Sequence, residues 1–351
     1  MFMDTPAAAG AFGCDHLGRL IRVMVHRPGD ELKIINAANC RDWLFDAVPD
    51  LPRFREEHQQ YCELLSSCGV EVLELADFVD DAARKLARLP NITYLHDTAV
   101  ITGRGAILSS MAWAGRRNEH WVVREALGNL RIPILWEFDD PEDAFEGCLL
   151  PWPRAVLVAE TGRHSPASIR KFLARAVLDF DEVIHLDVPK ARRYMHPDTI
   201  YNRITEHLAL VHLPAVRAAC RYTRDGVEPI DFAAFMQARG VELVGVSDSE
   251  QRRLACSFVP LEPGVILHYD TALDPATRRR LSRRGVEFLF FHPNALRAGG
   301  GSLRCLTLRL HRTGAGEPWE RRPVEQRRSI PAWKGVLAGA ACPVSTYLSP
   351  K

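Results

Sequence analysis

Several familiar anchors of function are missing from this sequence. Its nine cysteines (Cys14, Cys40, Cys62, Cys68, Cys148, Cys220, Cys256, Cys305 and Cys342) are an odd number at irregular spacings with no CxxC pair, so the usual zinc and thioredoxin readings fall away. No Gly-Lys-Ser/Thr follows the richest glycine run, Gly299-Gly300-Gly301, which excludes a nucleotide phosphate loop. No stretch reaches the roughly 18 uninterrupted apolar residues of a membrane helix, and the opening MFMDTPAAAGAFG has no basic segment leading into an apolar run. An excess of either charge is absent too. The formal net charge is +1, which provides no general attraction for nucleic acid or for a membrane surface. The expectation is a soluble cytoplasmic protein in a reducing compartment, most of its cysteines serving as small buried hydrophobes.

What is present describes an ordinary globular protein, 47% hydrophobic and 25% charged over 351 residues. That length allows two or three domains, although α/β architectures of this size often form one. One unit of helix followed by strand recurs five times. Phe54, His58, Tyr61 and Leu65 share a helical face that stops at Gly69 before the strand 70–75. Val123, Ala126, Leu127 and Leu130 precede 132–138; Ile169, Phe172, Leu173, Ala176 and Val177 precede 183–188. Residues 231–239 lead into 240–244, and Asp274-Pro275 opens a helix that ends at Gly285 before 286–290. Ser165 and Pro166 form a strong helix start, the serine as N-cap and the proline at the first position, where its missing N–H is harmless. The triplet Gly-Val-Glu stands at 69, 240 and 285.

One such unit cannot bury its apolar face alone, so repetition points either to units around an axis with a cavity at the centre or to one doubly wound sheet. Residues 313–351 break the rhythm: Thr313 to Pro318 is punctuation and 320–328 is charge-rich, the pattern of a peripheral extension.

Four places hold residues with chemistry. Cys305 follows the three-glycine loop and is expected at the start of an apolar strand, with Arg304 beside it to favour a thiolate. His196 and Asp198, in Tyr194-Met195-His196-Pro197-Asp198-Thr199, would share a face of an extended segment and point into one pocket. Asp97 ends what reads as a β-rich run from Leu89, and Glu146-Gly147 stands at the entry to a buried strand, where a carboxylate needs a partner. Arg116 and Arg163 lie near helix starts, where the macrodipole disfavours cations unless they serve an anion. Taken one at a time, each has a bland alternative: a structural thiol, a turn aspartate, a solvated charge.

In order and spacing, these pieces together resemble arginine deiminase, of the guanidine-modifying superfamily. The resemblance begins at Val25-His26-Arg27-Pro28-Gly29-Asp30-Glu31-Leu32, continues through Phe45-Asp46, Glu56-Glu57-His58 and Gly69-Val70-Glu71-Val72, and ends at Cys305. It implies an α/β fold, the five-bladed ββαβ propeller (pentein fold) with pseudo-fivefold symmetry and a central active site, spanning residues 1–312. It further implies Cys305 as nucleophile, His196 as general acid/base paired with Glu146, and Asp97 and Asp198 as the carboxylates that grip a guanidinium. Asn91, Arg116 and Arg163 would bind the substrate's α-carboxylate and Gly299 would offer a backbone contact. The implied reaction is hydrolysis of L-arginine, or a close derivative, to citrulline and ammonia, with no metal and no organic cofactor. The implied partner is a small guanidino molecule, neither nucleic acid nor membrane, and a homo-oligomer stays open. The chain departs from the family in four ways: Cys148-Leu149 replaces Gly-Asp after Glu146-Gly147, His96 and Thr98 replace Arg and Pro around Asp97, Pro197 replaces a Leu, and a helical insertion before Asn91 is missing. Two alternatives therefore stand, a biosynthetic hydrolase or amidinotransferase acting on a modified arginine, and a propeller that binds a guanidino ligand without turning it over.

Overall fold

The computed structural model describes residues 11–138, 140 and 142–314. The expected peripheral extension therefore lies, from residue 315 on, outside the described residues.

Three helices end in the same way, and the Gly-Val-Glu triplet explains it. Gly69, Gly240 and Gly285 adopt φ of +78°, +72° and +77°, a left-handed turn that only glycine enters without strain. Each following valine then donates its N–H back across the turn, Val70 to Leu65, Val241 to Met236 and Val286 to Leu281. This is the Schellman arrangement, and the buried valine packs on the buried residue it bonds. The chain leaves each helix in one fixed direction, straight into a strand.

Among the described residues those strands belong to five small mixed sheets, four of three strands and one of four. Four share one plan: an antiparallel pair, a helix, and a third strand parallel to the second. Ala99–Thr102 pairs with Gly105–Leu108, then helix Glu119–Asn129 leads to Ile134–Trp136. Tyr201–Thr205 pairs with Leu208–Val211, and helix Phe232–Ala238 leads to Glu242–Gly245. Val259–Glu262 pairs with Val265–Tyr269, and helix Pro275–Ser282 leads to Glu287–Phe291. The fourth case joins the two ends of the described chain: Leu308–Arg312 pairs with Leu20–Val25, which then runs parallel to Glu71–Glu74 across helix Leu51–Ser67. A parallel pair needs a long crossover, which is why each helix lies between its last two strands.

The remaining sheet varies the plan. Ala155–Glu160 and Glu182–Asp187 run parallel across helix Pro166–Asp179, which starts as expected with Ser165 accepting from Ser168 N. Its first strand is reduced to a single bridge, Leu149 to Leu157, and the hairpin Ala218–Tyr222 with Val227–Ile230 extends the other edge. The buried strand expected after Glu146 is therefore a bridge. Five separate sheets also exclude a single doubly wound one.

Apolar side chains from neighbouring sheets meet in five clusters. Val23 and Phe54 share one with Val259 and Leu267; Met24 and Leu310 share the next with Ile101, Leu108 and Val123. Val100 and Ile107 meet Val156 and Phe172, Leu157 and Ile184 meet Val211 and Met236, and Ile204 and Val244 meet Ile266 and Leu281. Each sheet thus contributes to two clusters. Among the described residues no helix is long and apolar enough to cross a membrane.

Candidate active site

The loop that carries Cys305 is tied down at many points. Glu57, on the helix Leu51–Ser67, accepts N–H bonds from Asn294, Ala295 and Leu296, so one carboxylate caps the turn Ala295–Gly299. Tyr94 and Tyr61 donate their hydroxyls to the carbonyls of Leu296 and Leu303. Gly299 lies so close to Tyr94 that an added Cβ would overlap the ring and hydroxyl. Cys305 itself sits in a turn, three residues before the strand Leu308–Arg312, rather than at the strand's start. Backbone bonds from Cys305 N to Ser302 O and from His96 N to Cys305 O fix the turn.

His196 and Asp198 do come together, but not through an extended segment. Pro197–Thr199 forms a 3-10 turn with His196 as its extended cap, because proline at the first position fits that turn and lacks an N–H to lose. Asp198 N then donates to His196 Nδ1, and Asp198 Oδ1 lies 3.0 Å from the same nitrogen. Asp97 likewise ends a 3-10 turn, Leu95–Asp97, where a β-rich run was expected; the stretch before it is turn.

A relay of polar groups links the thiol to the imidazole. Cys305 Sγ is 3.3 Å from Ser302 Oγ, which is 2.7 Å from Ser257 Oγ, which donates to Asp198 Oδ2 at 2.9 Å. Arg304 Nε and His96 Nε2 also face Asp198 Oδ2, each at 3.1 Å. The arginine beside the nucleophile is thus turned to an aspartate. Oδ1 lies beside His196 without a hydrogen bond, and His196 Nε2 is likewise buried without a partner, beside Gly147. A Cβ on Gly147 would stand 2.6 Å from that nitrogen.

The second carboxylate is held differently. Arg116 forks onto both oxygens of Asp97 at 2.8 Å and also binds Glu119, while Arg163 Nη1 reaches Asp97 at 3.2 Å and Glu146 at 2.6 Å. Glu146 spends its other oxygen on Ala112 N. The acid on His196 is therefore Asp198, and Glu146 serves Arg163. Asn91 donates to Trp43 O and keeps its buried Oδ1 unpartnered.

Electrostatics follow from burial and partners. Burial opposes ionisation of Asp97 and Asp198, yet Arg116 for the first and His196 with His96 for the second hold both well below the usual carboxylate range. Burial, with the Asp198 charge adding to it, pushes the Cys305 thiol up to about 11. Burial, Arg309 and His196 press His96 well below the usual histidine value. That agrees with its bonds: Arg309 Nη2 donates to His96 Nδ1 at 2.9 Å, so a neutral ring carries its proton on Nε2, towards Asp198. Among the described residues His96, His196 and Asp198 form the one trio whose donor atoms lie close enough for a metal ion. A proton on His96 Nε2, turned towards that centre, opposes a cation there.

Sequence reasoning did not assign roles to Ser257, Ser302, Glu57 or Tyr94. Serines and an isolated glutamate carry no spacing signal, and their importance comes only from what they touch. His96 was visible as a departure, without its partners.

Comparison with known proteins gives the family. The sequence profile of the arginine deiminase family matches residues 41–88 and 84–312. Arginine deiminase of Rhodococcus erythropolis is 26% identical over 397 residues, covering 83% of this chain and 95% of that protein. That of Mycobacterium avium is 27% identical over 394 residues, covering 83% and 95%. Among solved structures, the substrate-bound N-terminal domain of ArgZ, an arginine dihydrolase from cyanobacteria, superposes with a TM-score of 0.62 at 16% identity, over 82% of this chain and 97% of that one. An adduct of dimethylarginine dimethylaminohydrolase gives 0.60 at 15%, over 83% and 99%, while the longer AgrE chain is covered over 39% of its length. With most of its length matched by the family profile, this chain belongs to the arginine deiminase family.

Proposed function

We propose that the chain hydrolyses the guanidinium group of L-arginine, or of a close derivative, to the ureido product and ammonia, with Cys305 as nucleophile and His196 as general acid/base. The observation that carries this reading is the relay from Cys305 through Ser302 and Ser257 to Asp198 and His196, facing a second ionised carboxylate at Asp97. A guanidinium is delocalised over three nitrogens and a poor electrophile, so ionised aspartates hold it flat while sulfur attacks the central carbon. The resting thiol is protonated, because burial and two nearby anions oppose a thiolate. An arriving cation offsets those anions and favours ionisation as the substrate docks. As sulfur attacks, the thiol proton passes to the unpartnered His196 Nε2, and His196 gives that proton to the departing ammonia. It then takes one from the water that adds to the thiouronium carbon, and the carbon–sulfur bond breaks to release product and Cys305.

Arg163 occupies Asp97 in the resting site, where a substrate guanidinium would bind. In this reading it leaves Asp97 and turns to the substrate's carboxylate. The five sheets are proposed to be the blades of one propeller within residues 1–312, which the sharing of each sheet between two core clusters supports.

Incubation with a panel of guanidino compounds, with and without amine acceptors, tests the reading by mass spectrometry. Arginine should yield citrulline, and Cys305→Ser should bind arginine without converting it. Transfer of the amidino group to an added amine would make the chain a transferase, and no product from any compound would leave it a binder.

A further inference from the structure

A cavity whose lining does not include Cys305 lies among the first strands of several sheets. Its lining includes Arg203, Arg304, Arg309 and Arg312, together with Tyr201 and Asn202, and no aspartate or glutamate. Arg203, Arg304 and Arg312 are between 3% and 8% exposed. Arg304 has Asp198 as its ion-pair partner, whereas among the described residues Arg203, Arg309 and Arg312 have no carboxylate within ion-pair distance. Their bonds go to neutral acceptors: Arg203 to the carbonyls of Pro151 and Thr205, Arg312 to those of Gly18 and Pro260, and Arg309 to His96 Nδ1. Two polar groups on the lining, Arg309 Nη1 and the Tyr201 hydroxyl, are buried with no partner.

This is an expensive arrangement if left alone. A buried guanidinium does not give up its proton, and several together repel, so each needs an anion to offset desolvation. Burial lowers the pKa of all four, and Arg309 lowers those of Arg304 and Arg312 further. The nearby acids answer the charge only in part: Asp198 pairs with Arg304 and acts on Arg309 through space, Asp15 adjoins Cys14 and accepts from Gly103 N, and Glu206 acts on Arg203 only through space. About 60 Å³ is open to the centre of a water-sized sphere, room for roughly four waters or one small ion.

We propose that this cavity is an anion site that binds a small tetrahedral oxyanion of the phosphate class. The donors match: guanidinium forks pair with tetrahedral oxygens two at a time, and a hydroxyl and an amide complete the set. The reading stands apart from the assignment of the guanidino reaction, since it needs neither Cys305 nor any substrate.

Calorimetric titration of the full chain at constant ionic strength, exchanging chloride for phosphate, sulfate or succinate, tests it. Phosphate and sulfate should bind saturably at one site per chain, and succinate more weakly. Arg309→Met and Arg312→Met should each weaken phosphate about tenfold or more, the loss of a charged hydrogen bond. Should Arg312→Met fail to fold, Arg309→Met, which loses its side-chain bond to His96, carries the comparison. No saturable heat with phosphate at about a hundred times the concentration of a millimolar site, unchanged affinity in the folded variants, or preference for succinate would overturn the proposal.

Discussion

At Cys305 burial and the charges of Asp198 and Asp97 act in the same direction, all against a thiolate. With its thiol pushed up to about 11, only about one molecule in ten thousand is a thiolate at pH 7. Iodoacetamide should therefore alkylate Cys305 slowly at neutral pH, with a rate that climbs tenfold per pH unit towards about 11. A plateau below pH 9, followed by peptide mass spectrometry, would show the resting thiol to be already activated. The two arginines near Asp97 differ in burial and in partners. Arg116 is buried and committed to Asp97 and Glu119, so Arg116→Ala should leave two buried acids facing each other and destabilise by about 3 to 5 kcal/mol, read as a drop in melting temperature. Arg163 is partly exposed and has neutral as well as charged partners. Arg163→Ala should raise KM for arginine about tenfold and leave that for its decarboxylated analogue nearly unchanged. An equal rise for both would remove Arg163 from the carboxylate.

At the level of elements, the segment after the first strand shows how one buried histidine joins three pieces of chain. His26 Nδ1 lies 2.9 Å from Glu74, at the end of the strand Glu71–Glu74, and Nε2 lies 3.6 Å from Glu31 in the turn Asp30–Ile34. Burial opposes a charged ring, yet the two glutamates win and raise it to about 9. A pKa raised on folding contributes stability that is fully present below the unfolded value of about 6.5 and lost as pH rises through the folded one. Denaturation midpoints should therefore fall between pH 6.5 and 9, by up to about 3 kcal/mol, and His26→Gln should flatten that slope. A wild-type midpoint that stays constant across this window would contradict the ionised triad. The same segment was legible early as a run of residues, Val25 to Leu32, but its purpose was not: Glu31 and Glu74 are far apart in sequence and meet only around His26.

For the molecule as a whole, the pairing of Leu308–Arg312 with Leu20–Val25 joins the described chain end to end. No sheet can then be lost without opening the two clusters it shares. Leu310 is buried in the cluster formed with Ala99–Thr102 and the helix Glu119–Asn129. Leu310→Ala should lower stability by about 2 to 5 kcal/mol, the range for a cavity in a packed core, and unfold in a single transition by circular dichroism and fluorescence. Two separated transitions would mean that the sheets unfold as independent bodies.

The recurring helix and strand pattern and the glycine that ends three of the helices were determined by the sequence alone, whereas the cysteine, histidine and acids were singled out there by a family resemblance. Periodicity and backbone permissiveness are local properties, read over a few residues. The pairing of His196 with Asp198 rather than Glu146, the lock on His96, the two serines of the relay and the arginine-lined cavity were decided only by tertiary structure. Each depends on which side chains from distant segments come within about 3 Å of one another, and no spacing along the chain records that distance.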